Sequence, residues 1–152
     1  MLGELTQEEI GEMLNNNSVG RIGCNDGDIT YVVPVSYVLE QTGILCHSKD
    51  GMKIQMMRRN PEVCFEVDDI RDYNHWTSVI AWGTYEELTT DEDIAYARQF
   101  FSEYMLEQKT TETTLPPHTQ EERYHDVKPE YIPAIYYRIK FHKATGRYEK
   151  AM

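Results

Sequence analysis

The chain has 152 residues, 40% of them hydrophobic, and a formal net charge of -11. That length suits one domain, residues 1–152, built around one core. The charge argues against nucleic acid as a partner, because phosphate contacts dominate that affinity, and against docking on an anionic membrane.

In chain order, Thr6 and Glu9 fit a T-x-x-E capping box, and Leu5 with Ile10 fits a hydrophobic staple, so a first helix is predicted from Thr6 to about Asn16. From Val19 the period changes. VGRIGC, the turn NDGD, ITYVVPVSYVLE, QTG and ILCHS predict a three-stranded antiparallel meander. Pro34 cannot donate to a ladder, so it marks an edge or a bulge. GMKIQMMRRNP predicts a short helix closed by Asn60-Pro61. EVCFEVDDI alternates, with Val63, Phe65 and Val67 on one face and Cys64 and Glu66 on the other. WTSVIAWGTYEEL predicts a strand bulged or bent near Gly83. Thr89 or Thr90 opens a long helix with Ile94, Ala97, Phe101, Tyr104 and Met105 on its core face. Residues 109–133, threonine-rich and with four prolines, predict a long surface excursion. AIYYRIKFHKATGRYE is a last strand, with a hairpin-like tail read into its end. The fold class expected is mainly β with flanking helices, a small barrel of about six strands.

The chain carries 11 Tyr against 4 Phe and 2 Trp, so much of the aromatic burial falls to tyrosines whose hydroxyls need partners. Three cysteines, Cys24, Cys46 and Cys64, form no CxxC and read as reduced core thiols, which predicts a cytoplasmic location. No apolar run approaches the ~20 residues of a spanning helix, and MLGELTQEEIGEML has no secretory-leader pattern. The histidines, His47, His75, His118, His125 and His142, show no metal-ligand spacing, so no metal site is expected. No nucleophile elbow occurs. Cys46 and His47 are adjacent on a strand and so point to opposite faces.

HSKDGMKI is different. From Lys49 to Arg59 this acidic chain places four basic residues (Lys49, Lys53, Arg58, Arg59) against one acid, Asp50. A strand ends at His47 and Ser48, Gly51 allows a positive φ or a close backbone approach, and a helix opens with Lys53 in its first turn. Helix-start N–H groups, a hydroxyl and a lysine suit a phosphate or carboxylate. The same residues also suit a plain strand-turn-helix with solvated lysines. Backbone groups freed beside Pro34 and a covering Trp76 suit a planar ring, or else ordinary sheet packing.

Taken in order, residues 18–108, with VPVSY, HSKDGMKI, NPEVCFEVD and WTSVIAWG, resemble the pyridoxamine 5′-phosphate oxidase-like flavoproteins, and among them the nitroimidazole-resistance-type branch. The resemblance implies a split β-barrel of Greek-key type that forms a homodimer, with FMN held between subunits. It implies that His47, Ser48, Gly51 and Lys53 hold the phosphate, and that the ring lies along Val33, Pro34, Val35 and Ser36. Trp76, Ser78 and Val79 would approach the flavin, in many members from the partner subunit. His47 would lie near the flavin and carry redox or proton chemistry. Gly51-Met52-Lys53 stands where the oxidase has Ser-Arg-Lys, and its C-terminal Trp and Arg have no match here. Oxidation of pyridoxamine phosphate is therefore not expected. The expected function is an FMN oxidoreductase acting on a small electron-poor substrate of nitro-aromatic or quinone type. The alternative is a non-catalytic flavin or haem binding or sensor protein.

Overall fold

A computed structural model of the chain describes residues 1–107 and 134–152. The expected excursion at 109–133, with His118 and His125, lies outside the described residues, as does the side chain of Met105.

Seven strands and three helices follow in the order β1 (Leu2–Glu4), α1 (Gln7–Asn16), β2 (Val19–Asn25), β3 (Thr30–Leu39), β4 (Gly43–Ser48), α2 (Met52–Arg59), β5 (Glu62–Asp72), β6 (His75–Glu87), α3 (Asp91–Glu107) and β7 (Ile135–Glu149). The sheet runs β1-β7-β4-β3-β2-β5-β6, and β6 pairs back onto β7 to close a six-stranded barrel. The Greek-key split barrel expected from the sequence is present. β1 was not expected; it is a three-residue strip on the far end of β7, with Gly3 opposite Tyr148. β7 shows no hairpin-like tail. It runs unbroken, pairing β4 through Ile135–Lys140 and β6 along nearly its whole length.

Local chemistry sets these elements. The Thr6–Glu9 capping box forms with both bonds, at 2.9 and 3.1 Å. Gly27, at φ 100, turns β2 into β3 while the Asp26 carboxylate accepts the N–H groups of Asp28 and Ile29. Thr90 caps α3 by accepting from the Asp93 N–H at 3.1 Å. The predicted bend at Gly83 is a register shift: Trp82 faces Lys143, Gly83 faces Phe141, and His142 is left over in β7. Glycine is required there because a Cβ would run into the Lys140 carbonyl oxygen.

The barrel interior holds Ile22, Cys24, Ile44, Cys46, Phe65, Val67, Val79, Tyr137 and Ile139, joined by Ile10 and Leu14 of α1 and Ile54, Met56 and Met57 of α2. Each such side chain contributes roughly 1.5–3 kcal/mol by burial. A second cluster lies outside the barrel, where α3 packs Ala97 and Phe101 on Val38, Leu45 and Tyr136. Two of the buried tyrosines bond through their hydroxyls: Tyr37 donates to Leu14 O at 2.6 Å and Tyr85 to Glu87 at 2.7 Å. Away from Val38, where α3 packs, the outer face of β3, β2, β5 and β6 leaves Val19, Val32, Ile80 and Trp82 exposed.

Candidate functional site

The split begins where β3 and β4 part. Their ladder spans only Tyr37–Leu39 against Ile44–Cys46, while β3 pairs β2 along Thr30–Ser36. Tyr37 donates its N–H to Ser18 O at 3.0 Å, on the β2 side. Strand alternation then aims the backbone groups of Val35 and Val33 at β2, and those of Ser36, Pro34 and Val32 at the parted edge. Pro34 therefore costs the ladder nothing, and its position is the edge anticipated from the sequence rather than a bulge. The carbonyls of Val32 and Pro34 and the N–H of Ser36 face the gap.

α2 spans that gap. It starts where β4 ends, and its far end is tied to the β2–β3 turn by Arg59 Nη1 to Asp26 at 3.1 Å and Asn60 Nδ2 to Asn25 O at 2.7 Å. Its N-cap, Gly51, provides no side-chain bond, so the first-turn N–H groups are uncapped. Gly51 has φ -128, so the positive φ considered from the sequence is not used. A Cβ there would meet nothing nearer than Lys49 O at 4.0 Å, so the cradle is open.

Of the four basic residues, two are committed to structure. Arg58 holds Glu87 at 2.7 and 2.9 Å and reaches Asp50 at 3.3 Å. Arg59 holds Asp26. Lys53 is partly buried and forms no ion pair among the described residues; burial lowers its pKa. A half-buried lysine in the first turn of a helix whose start is uncapped suits an anion, and its charge also acts on Cys24, Cys46 and His47. Ser48 lies in the same turn, with its hydroxyl donating to Lys49 O at 2.8 Å.

His47 sits among aromatic rings. Cys46 points into the barrel and His47 points out, edge-on to Phe101 with centroids 4.9 Å apart and 6.0 Å from the Tyr136 ring. Burial first, and the charge of Lys53 second, push its pKa down to about 4. It is a neutral imidazole at neutral pH, at the border between the α3-covered surface and the split.

The remaining candidates divide by face. Pro34 and Ser36 are exposed on the outside, whereas the side chains of Val35 and Val79 lie in the barrel core at 7% and 0% exposure. Val33 also points inward, and the backbone groups of Val33 and Val35 are turned to β2, so on this strand the groove is faced by Val32, Pro34 and Ser36. Trp76 and Ser78 are on the outer face of β6, bonded to Glu149 and Glu66 at 3.2 Å each. β2 and β5 stand between β3 and β6, three strand spacings or about 14 Å. One chain does not bring Trp76 and Ser78 to the groove at Pro34 and Ser36.

Sequence reasoning missed the ion group Arg21, Glu66 and Asp68 on this face, although strand alternation had already turned Glu66 outward. Among the described residues no cluster could hold a metal, and no helix is long and apolar enough to cross a membrane.

A split barrel whose parted edge faces an uncapped helix start leaves backbone donors and acceptors open to a ligand. The chain belongs to the pyridoxamine 5′-phosphate oxidase-like family: the family model described as pyridoxamine 5′-phosphate oxidase matches residues 6–148. It is similar to the structure of a FAD-binding protein from Mesorhizobium loti, with 25% identity, 99% of each chain covered and a TM-score of 0.72. A candidate 5-nitroimidazole antibiotic resistance protein from Bacteroides thetaiotaomicron is 16% identical, with 97% of this chain and 87% of that one covered and a TM-score of 0.70; at that identity the likeness speaks for the fold. An uncharacterized protein of Rhizobium meliloti (strain 1021) is 29% identical over 94 residues, which span 62% of this chain and 62% of that curated relative.

Proposed function

We propose that the protein is an FMN-dependent oxidoreductase that works as a homodimer on a small electron-poor substrate of nitro-aromatic or quinone type. The observation that carries this reading is the meeting of two unsatisfied backbone features at one groove. These are the parted edge of β3 and the uncapped start of α2 beside Lys53. Their donor set fits the cofactor. Lys53, the first-turn N–H groups of α2 and Ser48 would hold the phosphate. The Pro34 carbonyl and the Ser36 N–H match the donor and acceptor edge of a flavin ring. When bound, the flavin supplies the electron chemistry. His47, as a neutral ring, offers an N–H without a charge that would have to be buried.

Two copies are proposed because the open face exposes apolar side chains that a monomer gains nothing by showing. Val19 is 58% exposed, Val32 63%, Ile80 36% and Trp82 41%. Pairing these faces would bring Trp76 and Ser78 of one copy toward the groove of the other. The unbridged cysteines fit the reducing cytoplasm.

The test is a visible spectrum of purified protein and a titration with FMN. Flavin absorbance and saturable binding are expected, followed by anaerobic reduction and reoxidation by a nitro-aromatic or quinone. A colourless protein that leaves added FMN unbound refutes the reading. Binding without any turnover would instead support a flavin-binding or sensor protein.

A further inference from the structure

Arg21 is a charge on the open face that the phosphate and ring assignments leave unused. It is the Cα partner of Pro34 on one side and of Glu66 on the other. Its Nη1 alone carries two carboxylates, Glu66 at 3.0 Å and Asp68 at 2.9 Å. Its Nε–H and Nη2 donors therefore have no partner among the described residues, and the side chain is 51% exposed. Ser78 fixes the other Glu66 oxygen from β6. The group's neighbours on β2, β3 and β6, namely Val19, Gly23, Val32, Pro34 and Ile80, are uncharged, and the next charge on the face is Arg147 of β7, the Cα partner of Ser78. An arginine anchored by one nitrogen and open along its other edge is held in place without being used up.

A ring lying along Pro34 and Ser36 would be about one strand spacing from Arg21. That is well inside the screening length of about 8–10 Å at moderate salt. Two-electron reduction places negative charge on the pyrimidine end of a flavin, and nearby fixed charges tune that step. Resting on the flavin reading above, we propose that the Arg21–Glu66–Asp68 group sets the reduction potential of the bound flavin. Arg21 favours the reduced ring, and the two carboxylates oppose it.

Opposite signs make the test. Flavin-loaded wild type and variants are poised against redox dyes at a pH well above the carboxylate range. Arg21→Met is expected to lower the potential by at least about 30 mV, a tenfold fall in the affinity for reduced relative to oxidised flavin. Arg21→Lys retains most of the wild-type value. Glu66→Gln and Asp68→Asn raise it, and they supply the answer where Arg21→Met fails to fold. Potentials unchanged in all variants, or shifted the same way by arginine and carboxylate removal, overturn this proposal while leaving flavin binding intact. Wild type that takes up no flavin overturns the underlying reading as well.

Discussion

Lys53→Ala is the sharpest test of the phosphate seat. Lys53 has no described ion-pair partner, and its burial disfavours the charged form. Removing it therefore breaks no ion pair in the protein without its cofactor, whose thermal stability should hold or rise slightly. A bound phosphate changes the account, because a charge-assisted bond to it contributes roughly 1.5–3 kcal/mol. At about 1.4 kcal/mol per decade, that predicts a weakening of FMN binding by roughly 10- to 150-fold. Lys53→Arg keeps the charge and should recover much of the loss, and riboflavin, which has no phosphate, should bind wild type and Lys53→Ala alike. Quenching of flavin fluorescence on titration reads all of these. Equal FMN affinity in wild type and Lys53→Ala would refute the assignment. So would an equal loss for riboflavin, since the lysine would then act on the ring or on the fold.

The other predictions concern the frame and the face. Tyr37→Phe strands the Leu14 carbonyl, accepted at 2.6 Å from the buried hydroxyl; a loss of about 1–3 kcal/mol in urea unfolding is expected, and no change would mean that water takes the bond. Gly83→Ala drives a methyl into the Lys140 carbonyl oxygen and should lower stability by about 1–3 kcal/mol or more, read from the melting temperature. His47 binds its proton less well folded, at about 4, than unfolded. Between about pH 6.5 and 4 the unfolded chain therefore holds more protons, and stability falls with falling pH. His47→Gln should flatten that part of the profile, and an unaltered slope would show that the ring is solvated. Ile80→Glu puts charge at the centre of the open face and should yield monomers by sedimentation together with weaker FMN binding; a variant that stays dimeric would mean that the copies meet elsewhere.

Much of the fold was legible because its signals are local. The capping box, the Asp-Gly turn, the alternation of Val63, Phe65 and Val67 and the glycine at the bulge each act through neighbours in sequence. What was not legible depends on chain ends and on parity. β1 is three residues whose partner stands at the opposite terminus, Leu2 facing Glu149, so no window of sequence contains the pair. The unbroken β7 is long because β6 supplies an edge along it, not because of its own pattern. Val35 and Val79 belong to segments that the family resemblance points to, but which face each side chain takes follows from a register that only the closed barrel fixes.

The basic cluster shows the same division, and it decides what the site is. Counting charge along Lys49–Arg59 gives four cations and does not say which of them a ligand could use. The fold gives Arg58 to Glu87 and Asp50, and Arg59 to Asp26, each a contact that pins α2 across the split. These arginines hold the helix whose start would receive the ligand. Lys53, half-buried in the first turn of α2, has no ion pair among the described residues, and a single such cation matches one phosphate group better than it matches a polymer. The acidity of the rest of the chain is consistent with this. An extended anion would meet carboxylates on every side, while a single phosphate at the α2 start meets a local field that the two neighbouring arginines, already neutralised by their partners, neither add to nor oppose.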